Sequence, residues 1–98
     1  NFPEILGTPG IAAVFLGPVD LSVAMGRGGD PDDPAVREAL LGMIGQANRA
    51  GVPVGALAVD PAFARTLLDR GLDFLAYGID TILMYQKCRE VLERVLGQ

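Results

Sequence analysis

Three short apolar runs, Ala12-Ala13-Val14-Phe15-Leu16, Val52-Pro53-Val54-Gly55-Ala56-Leu57 and Asp73-Phe74-Leu75-Ala76-Tyr77, constrain this chain more than any other feature. A strand with one wet face alternates apolar and polar residues, because successive side chains point to opposite sides. None of these runs alternates, so each is expected to be a strand buried on both faces, as in parallel sheets.

The segments between the runs carry a helical period instead. Val36, Ala39, Leu40, Met43, Ile44 and Ala47 share one helical face, after the acidic, proline-bearing start Asp32-Asp33-Pro34 and before a stop at Gly51. A second helix is expected from about Pro61 to Arg70, with Asp60 as N-cap, Pro61 in first position and Gly71 as its stop. A third begins near Asp80 or Thr81 and aligns Cys88, Val91, Leu92, Val95 and Leu96 on one stripe before Gly97. Asn1 to about Leu6 reads as the tail of a further helix, closed by Gly7-Thr8-Pro9-Gly10. The order α-βα-βα-βα implies an α/β fold with parallel strands joined by right-handed crossovers. Three strands with three or four helices leave open edges and one uncovered face. A closed (β/α)8 barrel takes about 250 residues, so residues 1–98 read as a single partial domain made of three of its units.

Composition narrows the function classes. Half of the residues are apolar and a fifth charged, which suits a globular domain rather than a disordered one. The net charge is −4 and the eight Lys and Arg are scattered, so there is no footprint for nucleic acid. Apolar stretches break well short of the ~20 residues of a membrane-spanning helix. Asn1-Phe2-Pro3-Glu4 carries no basic or apolar leader, so a cytoplasmic location is the expectation. Cys88 is the single cysteine, which excludes an internal disulfide and a cysteine-rich zinc site. With no His to activate it, Cys88 reads as a small apolar or boundary residue.

In parallel α/β architectures the reacting groups sit where strands end and loops begin. Three such loops are expected: Gly17-Pro18-Val19-Asp20-Leu21-Ser22, Ala58-Val59-Asp60-Pro61 and Gly78-Ile79-Asp80-Thr81. Each holds an Asp near a helix start, where a carboxylate caps free N–H groups. Capping is the expected role of Asp60 and Asp80. For Asp20 capping competes with a second role, because Gly17 lets backbone approach a ligand, Pro18 stiffens the loop, and the N–H groups of Val19 and Asp20 can face an anion. A carboxylate on a hard metal beside backbone donors suits enolate chemistry. Gly26-Arg27-Gly28-Gly29-Asp30 lacks the order of a nucleotide-binding loop and reads as a mobile connection. Asp30, Asp32 and Asp33 lack the closing Glu of a calcium loop and read as the acidic start of a helix.

Read together, Val14-Phe15-Leu16-Gly17-Pro18-Val19-Asp20-Leu21-Ser22, Gly55-Ala56-Leu57-Ala58 and Asp73-Phe74-Leu75-Ala76-Tyr77-Gly78-Ile79-Asp80-Thr81 resemble the last three strands of the HpcH/HpaI aldolase family. The match covers nearly the whole chain in order, and its first segment is the most specific. The resemblance implies the C-terminal three βα units of a (β/α)8 TIM barrel of the phosphoenolpyruvate/pyruvate type. It implies a lyase that cleaves 4-hydroxy-2-oxo acids to pyruvate and an aldehyde with the help of Mg²⁺, Mn²⁺ or Co²⁺ held by a Glu and an Asp. It gives the Asp role to Asp20, substrate binding to Gly17, Pro18, Val19 and Asp20 through the backbone N–H groups of Val19 and Asp20, and a pocket-lining role to Leu57.

The chain departs from the family pattern in what it lacks. The partner Glu of the family lies just before Asn1, and Glu4 does not match it, since it falls on the following helix. The catalytic His and a substrate-binding Arg belong to earlier strands, so no catalytic residue is assigned to this segment, which is expected to be inactive alone. Family members are homo-oligomers, commonly hexamers, whose last helix packs on a neighbouring subunit; the stripe from Cys88 to Leu96 fits that, and it fits packing on its own barrel equally. Two alternatives stand beside the aldolase: a citrate-lyase-type barrel acting on acyl-CoA thioesters, and a non-catalytic fragment that self-associates through strand edges and apolar helices.

Overall fold

Proline placement decides where four of the five helices begin. In the computed structural model, which describes residues 1–97, α1 (Phe2–Leu6), α2 (Pro18–Ala24), α3 (Pro34–Ala50) and α4 (Pro61–Asp69) each carry Pro in the first or second position. There the missing N–H costs nothing, because helix geometry offers it no acceptor. The fifth helix, α5 (Asp80–Leu96), ends like α3 on a left-handed glycine, Gly97 and Gly51 respectively, both at φ 72°. The strands are β1 (Val14–Leu16), β2 (Val54–Ala58) and β3 (Phe74–Tyr77).

The expected order holds with one addition. Residues read as a loop, from Pro18 onward, form α2, whose seven residues are too few for a helical period to show in sequence.

The strands form one parallel sheet in the order β1-β2-β3. Register sets Leu16, Ala56 and Leu75 side by side on one face, and Phe15, Gly55 and Phe74 on the other. The helices cover the first face, where Leu16, Ala56, Leu40, Ile44 and Leu67 form the core. Asp73 ties the start of β3 to β2 by a pair of bonds: its N–H donates to the Val54 carbonyl and its Oδ2 accepts from the Val54 N–H, both at 2.8 Å.

The expectation that all three strands are buried on both faces is corrected. Only β2 is mostly buried, with Leu57 alone half-buried. Phe15 is 54% exposed, and no residue of β3 is buried. The physical reason is that β1 and β3 have one strand neighbour each, and no described element covers the Phe15-Phe74 face. The continuous apolar runs therefore leave apolar side chains uncovered on the outer strands.

Helix α5 makes the fold elongated, with extents of 55 × 27 × 20 Å. None of its residues is buried. Its apolar stripe, with Met84, Val91, Leu92 and Val95, faces outward, so packing against its own sheet is not the arrangement adopted. No described helix is long and apolar enough to cross a membrane.

Candidate functional site

At the end of β1 the backbone turns through Gly17, extended at φ −102° and ψ 111°, directly into α2. The N–H of Leu21 donates to the Gly17 carbonyl at 2.9 Å, closing the first helical turn. The Val19 and Asp20 N–H groups have no backbone acceptor among the described residues, and the N-cap glycine has no side chain to offer them. Asp20 is the third residue of this helix, where a negative charge is favoured by the exposed N–H groups. It does not cap α2; Gly17 holds that position, so the capping reading of Asp20 is set aside.

The Asp20 carboxylate folds back over the turn. Its Oδ2 lies 3.2 Å from the point where a Cβ on residue 17 would stand, so the glycine leaves the room that the carboxylate occupies. It has no hydrogen-bond or ion-pair partner among the described residues. Asp20 is the one charged group lining a cavity of about 410 Å³, whose walls are otherwise apolar and include Phe15 and Leu16 of β1, Phe2 and Ile5 of α1, and Met43 of α3.

The structure brings Gly17 and Asp20 into this cavity but not Leu57. Leu57 lies within β2, paired with Ala76, and lines a separate space of about 20 Å³ with Pro18, Arg37, Asp60 and Phe63. Pro18 is buried and Val19 exposed; Val19 borders neither cavity.

The other acidic residues have local tasks. Asp60 caps α4, its Oδ1 accepting from the Ala62 N–H at 3.1 Å, and Asp33 caps α3 by accepting from the Ala35 N–H at 2.8 Å. Asp30 accepts from the Asp32 N–H at 2.9 Å in the loop ahead of α3; of the three acidic residues expected at the helix start only Asp33 holds that place, and the first turn of α3 carries none. The expected capping by Asp80 is corrected: Ile79 is the N-cap of α5, and Asp80 accepts from the adjacent Thr81 N–H because it already stands inside the helix.

No three His, Cys, Asp or Glu residues gather into a potential metal site among the described residues. The free carboxylate of Asp20 is a hard oxygen donor of the kind that Mg²⁺ and Mn²⁺ take. The segment therefore fits a divalent ion as the source of one ligand and not of a complete set.

Three features escaped the sequence reading. The rings of Phe15 and Phe74 stack across Gly55. Ser22 is fully buried with its Oγ unpartnered among the described residues. Arg37 reaches Asp32, Asp60 and the ring of Phe63 together. The ring contact, the burial of Ser22 and the Arg37 contacts to Asp60 and Phe63 all depend on other elements, so no local spacing signals them.

Residues 1–86 match the HpcH/HpaI aldolase/citrate lyase family. A hydroxypyruvate/pyruvate aldolase of Pseudomonas aeruginosa is 39% identical over 97 residues, taking in 99% of this chain and 36% of that protein. A 4-hydroxy-2-oxo-heptane-1,7-dioate aldolase of Klebsiella pneumoniae is 42% identical over 84 residues, or 86% of this chain and 32% of that protein. A crystal structure of a HpcH/HpaI aldolase/citrate lyase family protein from Burkholderia cenocepacia superposes with a TM-score of 0.81 at 32% identity, covering 96% of this chain and 37% of that one. The chain thus spans about a third of the length of the curated relatives it matches, and its three parallel βα units are part of a (β/α)8 barrel.

Proposed function

The chain belongs to the HpcH/HpaI aldolase/citrate lyase family, and we propose on that premise that it supplies the C-terminal βα units of a divalent-metal-dependent lyase cleaving 4-hydroxy-2-oxo acids to pyruvate and an aldehyde. The observation that carries this reading is Asp20: a free carboxylate beyond the end of a parallel strand, folded over a glycine, and the sole charge on the wall of an apolar cavity. Strand ends of this polarity are where (β/α)8 enzymes place their chemistry.

In this reading Asp20 gives one oxygen ligand to the ion. A bound Mg²⁺, Mn²⁺ or Co²⁺ supplies Lewis-acid stabilisation of the charge that develops on the oxo acid as its carbon–carbon bond breaks. The N–H groups of Val19 and Asp20, left without backbone acceptors, hold the substrate carboxylate, as preorganised donors should. Gly17 leaves room for the Asp20 carboxylate to fold over the turn beside those donors, buried Pro18 keeps the turn rigid, and Leu57 adds apolar wall on the barrel side of β2. One carboxylate and no His do not make a complete site, so residues 1–98, taken as one partial domain, are inactive by themselves. The remaining ligand and the base come from the rest of the barrel. Helix α5, which buries nothing on its own sheet, packs on a neighbouring subunit of a cytoplasmic homo-oligomer.

The test is Asp20→Asn in the complete enzyme that carries this segment. Loss of metal-dependent pyruvate release, with an unchanged circular dichroism spectrum, is the expected result. Full turnover in the variant overturns the assignment. Turnover of acyl-CoA thioesters in place of oxo acids by the parent enzyme would give it the citrate-lyase reading instead.

A further inference from the structure

We propose that Arg37 is a positioning residue that sets the spacing between the Gly17–Asp20 turn and the β2–α4 loop, and thereby the fit of the oxo acid. The inference rests on the functional reading of that turn given above. Arg37 stands in the first turn of α3, outside the cavity that holds Asp20. Its Nη2 donates to Asp32 Oδ1 at 2.7 Å and lies 3.6 Å from Asp60 Oδ2, while its guanidinium carbon sits 4.2 Å from the centre of the Phe63 ring. One side chain so engages the approach to α3, the β2–α4 loop and α4. The small space beneath it is closed by Pro18 at the start of α2, by Leu57 and Ala58 at the end of β2 and by Val59 of the loop that follows. Arg37 thus holds the second strand-end loop directly, through Asp60, and faces the first across that small space, where Pro18 forms the opposite lining.

A role confined to steadying the start of α3 would need the Asp32 pair alone. The geometry goes further. The guanidinium carbon stands over the Phe63 ring, and Arg37 Nε is buried with no partner among the described residues, an arrangement that costs stability and persists because the rest of the group is held from several sides. Nη2 alone meets both carboxylates, and this combination with the Phe63 face is one that an ammonium on a flexible stem does not reproduce. A shift of either loop by a fraction of an ångström alters the distance between Leu57 and the Val19 and Asp20 donors, and misplacement on that scale is costly to a bound substrate.

The experiment is steady-state kinetics in the complete enzyme with Arg37→Met, Asp60→Asn, Arg65→Met and Asp20→Asn. Asn remains a good N-cap, so Asp60→Asn removes the charge facing Arg37 and leaves α4 capped. Arg65 pairs with Asp69 at 3.3 Å on the exposed side of α4 and serves as the control. Arg37→Met is expected to raise KM for the oxo acid on the order of tenfold with kcat little changed. Asp60→Asn moves KM in the same direction, and Arg65→Met leaves it alone. An Arg37→Met enzyme whose KM is unchanged, or that loses only kcat and Tm, overturns the proposal. Should Arg37→Met fail to fold, an unchanged KM in Asp60→Asn overturns it instead. Retained metal-dependent turnover in Asp20→Asn defeats the functional reading itself, and this proposal with it.

Discussion

Phe15 and Phe74 stack across Gly55, with ring centroids 6.0 Å apart and planes 23° from parallel. Register places the glycine between them, Phe15 paired with Gly55 and Gly55 with Phe74. The two outer strands thus fill the space that the middle strand vacates. A Cβ on residue 55 would overlap the Phe74 ring.

Gly55→Ala should accordingly destabilise the protein by about 1–3 kcal/mol, the usual cost of forcing extra volume into a filled space. Urea denaturation reads the effect as a lower midpoint, and adding Phe74→Ala should recover part of it. A Gly55→Ala protein as stable as its parent would show that the ring moves aside freely.

Gly17→Ala tests the turn rather than the fold. Residue 17 is extended at φ −102°, a conformation alanine adopts without strain, yet its methyl would stand 3.2 Å from Asp20 Oδ2. The expected outcome is divalent-metal affinity weakened about tenfold in the complete enzyme, the scale seen when the surroundings of a ligand are disturbed, with the melting temperature held. Isothermal titration with Mn²⁺ decides it, and unaltered binding counts against the carboxylate as a ligand.

Asp73→Ala removes the acceptor of the Val54 N–H, bonded at 2.8 Å where the middle strand begins. Leaving that partly buried donor unpaired costs about 1–3 kcal/mol. Asp73→Asn, which keeps an oxygen acceptor, should lose less. Equal stability of the two variants would argue that the bond contributes nothing.

The apolar stripe of α5 carries the fourth prediction. With Val91, Leu92 and Val95 all more than 40% exposed, the chain on its own should self-associate, since contiguous apolar surface of this kind seeks cover. Val91→Glu with Val95→Glu should shift the sedimentation profile toward monomer. A parent chain that already sediments as a monomer at tens of micromolar, by order of magnitude the range in which exposed apolar surface drives association, refutes the idea.

Much of this was legible in the chain itself. Proline, glycine and aspartate mark the helix starts and stops because their effects reach only three or four residues, and Asp33, Asp60, Gly51 and Gly97 sit where those short-range rules put them. Asp20 was found as a candidate through the motif around it, since the turn that exposes its carboxylate is itself local. Asp80 went astray by one residue, because a cap and a first helical residue differ by a single backbone angle. Helix α2 stayed hidden for want of length.

Residue order by itself determined the alternation of strands and helices, the parallel class that follows from it, and Asp20 as a candidate in the turn after β1. Tertiary structure alone decided which faces of the strands stay uncovered, that Leu57 and Asp20 border different spaces, and that Arg37 spans three elements. The physical reason is range: backbone preference and capping act within one turn of chain, whereas burial and ion pairing depend on which distant segments the sheet brings within a few ångströms.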